Sequence, residues 1–189
     1  MQSQRPLIEG NLGFLEPFKT ESETFSLSSS AQISIQKYFL YFNEWKGASI
    51  PNTYNGKAVI DWNGEPVFAE LAVLRLFQSQ GWEGVWVDSY RRKYRTGLPG
   101  VAEPVELPEK QRQLIDSIRA KTGRHGGCWD VLIWKDDQLF FVELKRLKKD
   151  KIQESQITWL EQSLSSGLST INFVFIEWSL GNQLEAQIL

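Results

Sequence analysis

The clearest pattern in the chain is an apolar stripe at helical spacing, formed by Val67, Leu71, Leu74 and Phe77. With Pro66 ahead of it and Gly81 behind, it predicts a helix over about 66–80. Glu70 sits beside Leu71, so a carboxylate lies on or next to the inward face. Strict alternation marks a short strand from Lys57 to Trp62, followed by the turn signal Asn63-Gly64. Gly84–Tyr90, Asp130–Trp134, Leu139–Lys145, Thr170–Trp178 and Leu184–Ile188 also read as strands, with Lys135-Asp136-Asp137 as a turn. Two further helices are expected, at about 108–120 and 151–165. Residues 31–46 begin with alternation and end as an apolar block, which fits a strand or a helix. Residues 1–30, rich in Ser, Glu and Gln, read as a mobile or loosely packed arm.

From Pro66 onward the order is helix, strand, insertion, two strands, helix, strand, strand. This predicts an α/β domain with a mixed central sheet flanked by helices. The expected organisation is an N-terminal extension over 1–65 and a core over 66–189 with an insertion at about 91–127.

Composition narrows the chemistry. The 189 residues suit one sizeable core, and 41% hydrophobic with 23% charged residues is ordinary for a folded protein. A single cysteine, Cys128, and a single histidine, His125, exclude an intramolecular disulfide and a cysteine or histidine metal cage within one chain. A metal held here would need mainly oxygen ligands, which favours Mg2+, Mn2+ or Ca2+. The polar start of the chain and the lack of a long apolar run lead to the expectation of a soluble, cytoplasmic protein without a membrane partner. Net charge is −2, but residues 91–151 carry +6 and the remainder −8. Two basic clusters dominate, Arg91-Arg92-Lys93-Tyr94-Arg95 and Lys145-Arg146-Leu147-Lys148-Lys149-Asp150-Lys151. They are either solvated faces or a surface for a polyanion.

Glu143 and Lys145 share one face of their strand, because side chains alternate with period two. If this strand and the preceding one, Asp130–Trp134, pair as a hairpin, Asp130 meets Glu143 and Lys145 near one end of the sheet. Two carboxylates and an amine there would make a small oxygen-rich pocket suited to Mg2+. Glu70 could add a third carboxylate, and Gln156 faces the core side of its helix. Each residue also admits an ordinary role: a strand-edge cap for Asp130, a cross-strand ion pair for Glu143 and Lys145, a wet helix rim for Glu70, a satisfied amide for Gln156.

The order Asp130, then Glu143-Leu144-Lys145, then Gln156-Ile157-Thr158-Trp159-Leu160, preceded by Gly126-Gly127, resembles the PD-(D/E)xK nuclease superfamily. Within it the chain is similar to the virus-type replication-repair nuclease (VRR-NUC) branch, the module at the C-terminus of the Fanconi-associated nuclease. The resemblance spans roughly 66–178 and includes the Glu70 helix followed by Gly81-Trp82-Glu83-Gly84. One position departs, since Trp129 stands where the family usually has Pro before the Asp. The resemblance implies a restriction-endonuclease-like core and metal-dependent hydrolysis of phosphodiesters, with branched or flapped DNA in repair, recombination or replication as the substrate. It implies Glu70, Asp130, Glu143 and the Leu144 carbonyl as ligands of Mg2+ or Mn2+. Lys145 would position water and Gln156 would steady the site. Arg91, Arg92, Lys93, Arg95, Arg124, Arg146, Lys148 and Lys149 become candidate phosphate contacts, and a homodimer is compatible with the reading. The alternatives are a non-catalytic nucleic-acid-binding module of the same fold, a nuclease on RNA or duplex sites, and an interaction protein using the acidic N-terminal part.

Overall fold

A computed structural model describes residues 12–51, 54, 56–123 and 126–181. Arg124, His125 and the expected last strand over 184–188 lie outside the described residues. The chain is a mixed α/β protein. Its centre is a six-stranded sheet built from β3 (Lys37–Phe42), β6 (Glu83–Asp88), β7 (Lys93–Arg95), β8 (Val131–Lys135), β9 (Gln138–Arg146) and β10 (Phe173–Leu180). The spatial order is β3-β10-β9-β8-β6-β7. β3, β10 and β9 run parallel, while β9–β8, β8–β6 and β6–β7 are antiparallel.

The alternation along β8 and β9 sorts side chains between two layers. Val131, Ile133, Phe140, Val142 and Leu144 pack with α1 (Ala69–Ser79) on one face. Leu132 and Phe141 pack on the other face with α2 (Glu109–Thr122) and α3 (Glu154–Ser165). There Ile115, Ile118, Trp159 and Leu160 are buried, with Phe25 and Ile35 of the hairpin β1 (Glu23–Ser26) and β2 (Gln32–Ile35). α3 crosses over between the parallel neighbours β9 and β10, as parallel pairing requires.

Several boundaries differ from the sequence expectation. The helix expected to open at Pro66 begins at Ala69 instead. Asn63 and Gly64 adopt φ of 52° and 87°, and this turn folds β5 (Glu65–Val67) back on β4 (Ile60–Trp62) with Pro66 opposite Asp61. A two-stranded ribbon tolerates the missing N–H of Pro66 on its outer edge. The strand expected from Thr170 starts at Phe173, after a 3-10 turn over Thr170–Asn172. Residues 31–46 form β2 and β3, with no helix.

The arm expected over 1–30 is, in its described part, packed against the core. A 3-10 helix at Gly13–Phe18 buries Leu15 completely, and Phe14 meets Phe77 edge-on at 5.0 Å. The Ser28-Ser29-Ser30 run belongs to the turn between β1 and β2, where the Leu27 N–H donates to the Ala31 carbonyl at 2.8 Å. The serines, expected as part of a loose arm, form a defined turn. The aromatic residues flanking them supply the burial that makes the segment part of the fold. β3 extends the central sheet from the N-terminal side, and β7 and α2 order much of the stretch 91–127.

Candidate functional site

β6 and β9 are both antiparallel to β8, so their C-terminal ends lie at the end of the sheet where β8 begins. Asp88, Asp130, Glu143 and Lys145 therefore gather at one sheet end. The Val87 N–H donates to the Asp130 carbonyl at 2.8 Å, which continues the ladder up to that residue.

Glu143 has no exposed surface, although it is a carboxylate. Its Oε1 accepts from the Lys145 ammonium at 2.5 Å and from the Gln156 side-chain amide. Its Oε2 is buried with no hydrogen-bond partner. The other end of the Gln156 amide accepts from the Gln153 N–H at 2.9 Å, inside a capping box at the start of α3. The helix cap thereby fixes the amide that holds Glu143. Asp130 Oδ2 accepts from the Leu144 N–H at 3.0 Å, which clips the start of β8 to β9.

Burial is the largest influence on both acids. It pushes Asp130 up to about 6, helped by Glu70 and opposed by Lys145, Lys57 and the Leu144 N–H. It holds Glu143 well above the ordinary carboxylate range, with Asp130 reinforcing the shift and Lys145 and Gln156 opposing it.

Glu70 reaches the site from the other layer. It lies in the first turn of α1, where the helix dipole favours a negative charge, and it is 7% exposed. One oxygen takes the ammonium of Lys57, and the other is buried without a partner. No motif in the sequence points to Lys57. It precedes β4, outside any motif, and only the tertiary fold brings it to Glu70. Burial works against its charge, but Glu70, Asp130 and Asp88 outweigh that and raise its pKa above the ordinary value.

A second polar group adjoins the site. Asp88, 2% exposed, accepts from Arg95 Nε at 2.7 Å and from the Tyr54 hydroxyl at 2.6 Å. The Arg91 N–H donates to its Oδ1 at 3.2 Å. Burial and Asp88 push Tyr54 up to about 12. Arg95 is thus only 5% exposed and committed to Asp88, so its place is inside the fold and not on a phosphate-contacting surface. A run of five residues read as one basic cluster conceals this, because the strand period alone puts Lys93 and Arg95 on one face and only the tertiary fold buries Arg95 against Asp88. Arg91, Arg92 and Lys93 are exposed, with the Arg91 guanidinium 4.5 Å from the Tyr54 ring centroid. Lys148 and Lys149 are exposed beyond β9, and Arg146 lies over the Trp178 ring at 5.4 Å. Both basic groups follow strand ends on the Asp130 side of the sheet.

Trp129, which precedes Asp130, is completely buried. Its ring meets Phe173 edge-on at 5.0 Å, and its indole N–H donates to the Gln156 carbonyl at 3.2 Å. It ties the entry of β8 to the first turn of α3. Gly127 makes the same approach possible: at φ +95°, a Cβ there would stand 2.2 Å from the Ser155 carbonyl oxygen.

The donor chemistry fits a hard cation, since Glu70 and Glu143 each present a buried oxygen without a partner and Asp130 lies within their electrostatic reach. The spacing is looser than a closed ligand set. Among the described residues no three or more His, Cys, Asp or Glu side chains are gathered closely enough to hold a metal ion. Each glutamate spends one oxygen on a lysine. Among the described residues no helix is long and apolar enough to cross a membrane. Comparison of the chain with protein families, curated proteins and solved structures finds no match.

Proposed function

We propose that the chain is a metal-dependent nuclease with a restriction-endonuclease-like core of the VRR-NUC kind, hydrolysing phosphodiester bonds in branched or flapped DNA. The observation that carries this reading is Glu143: a wholly buried carboxylate between a lysine and a glutamine, beside a second acid, with one oxygen unused. Burying such charges costs stability, and a hydrophobic residue would serve packing better. Shifted acids clustered at a sheet end are the arrangement expected of a reactive site.

In this reading Glu70, Asp130, Glu143 and the Leu144 carbonyl hold Mg2+ or Mn2+. A bound divalent cation supplies Lewis acidity towards the phosphate and makes water more acidic. Lys145, tethered to Glu143, orients the attacking water and offsets charge on the phosphoryl oxygens. Gln156 keeps Glu143 in place. Hydrolysis adds water across one P–O bond, leaving a phosphate on one product end and a hydroxyl on the other. Arg91, Arg92, Lys93, Arg146, Lys148 and Lys149 contact the nucleic-acid backbone.

The loose spacing of the carboxylates favours one other reading, a nucleic-acid-binding module that keeps the fold without cutting. Cleavage of a labelled panel (single strand, duplex, 5′-flap, splayed arm, four-way junction) with Mn2+ or Mg2+ separates the two. Metal-dependent cutting that is lost in Glu143→Gln is expected. Binding to the panel without cutting would move the assignment to the second reading.

A further inference from the structure

Lys57 is paired with Glu70, one of the carboxylates assigned above to the metal. Its ammonium takes one oxygen of Glu70 and lies 5.2 Å from the Trp86 ring centroid and 5.4 Å from that of Phe68. Those ring faces attract a cation, so the aromatic wall holds the ammonium in place. The charges of Asp130 and Asp88 also act on it. A single ammonium leaves the second, buried oxygen of Glu70 without a partner. Lys145 is already committed to Glu143, so it does not supply the missing contact. The Lys57 side chain is half-buried, with 31% of its surface exposed against 9% for Glu70.

We propose that Lys57 is a tethered cation that competes with the divalent metal: it holds Glu70 in the metal-free protein and leaves it when the metal binds. The inference rests on the proposed function, because it presupposes that Glu70 is a ligand. It accounts for the loose spacing of the acids, since Glu70 is drawn to the lysine and away from Asp130 and Glu143. Being on the same chain, the ammonium is present at high effective concentration, and any entering cation must displace it. Lys57 is a positioning residue in this account, setting the affinity of the site without touching the reacting atoms.

The test is Mn2+ binding by calorimetry, without nucleic acid, to the wild type, Lys57→Met, Lys57→Gln and the exposed control Lys46→Met. Removing a competing ion pair of this kind should tighten Mn2+ binding about tenfold in both Lys57 variants and leave Lys46→Met near wild type. Metal-free Lys57→Met should melt lower than wild type, and Mn2+ should raise its melting temperature by more. Wild-type binding that is unchanged or weakened in both Lys57 variants overturns this inference alone. No Mn2+ binding in any of the proteins overturns it together with the proposed function. Binding only in the Lys57 variants supports both.

Discussion

Asp130 and Glu143 show how the surroundings of a side chain set its chemistry. Asp130 has an ordinary carboxylate pKa of 3.8, and burial, with Glu70, pushes it up to about 6 in the fold. Between those values the folded chain binds more protons than the unfolded chain. The contribution of Asp130 to stability therefore falls as pH rises from about 4 to about 6. Asp130→Asn removes that contribution. The melting temperature of metal-free Asp130→Asn minus that of wild type should rise across this window, and a flat or falling difference would contradict the assigned shift. The Asp130, Glu143 and Lys145 grouping was legible in the sequence, because strand periodicity places Glu143 and Lys145 on one face. Lys57 was not. It is 13 residues from Glu70, and no local pattern announces the ion pair.

At the scale of elements, α3 and the start of β8 act as one unit. The Gln153–Gln156 capping box, the Trp129 indole and the approach of Gly127 to Ser155 join the helix start to the strand that carries Asp130. Gly127→Ala should cost about 1–3 kcal/mol in denaturant unfolding, from the strained φ and the collision with the Ser155 carbonyl. Gly126→Ala, with open space around its Cβ, should stay within about 0.5 kcal/mol of wild type. Equal stabilities for the two variants would contradict the close approach. The β8–β9 hairpin was readable from two short apolar runs on either side of the polar turn Lys135-Asp136-Asp137. The start of α1 was not, because Pro66 signals a helix N-terminus locally while the Asn63-Gly64 turn captures the same residues for a β-ribbon. The described part of the first 30 residues looked loose because its serines outnumber the buried Leu15 and Phe25 that fix it.

Across the whole molecule, the sheet brings the acidic site and the exposed basic residues to the same end, despite the net charge of −2. Arg91→Ala, Arg92→Ala and Lys93→Ala combined should weaken DNA binding and lower the salt slope of log K by up to about 0.9 per lost duplex phosphate contact. Arg95→Ala should instead lower stability, because it leaves the buried Asp88 without its arginine. An unchanged slope in the triple variant would remove this cluster from the interface. In the proposed function, the Lys145 end of the sheet is where a phosphodiester is cut. The decisive measurement is cleavage and binding of one labelled branched DNA by Lys145→Ala and wild type in Mn2+. Cleavage by the variant should fall by about a hundredfold or more, with binding within a few-fold of wild type. Wild-type cleavage in Lys145→Ala, or an equal loss of cleavage and binding, would contradict it.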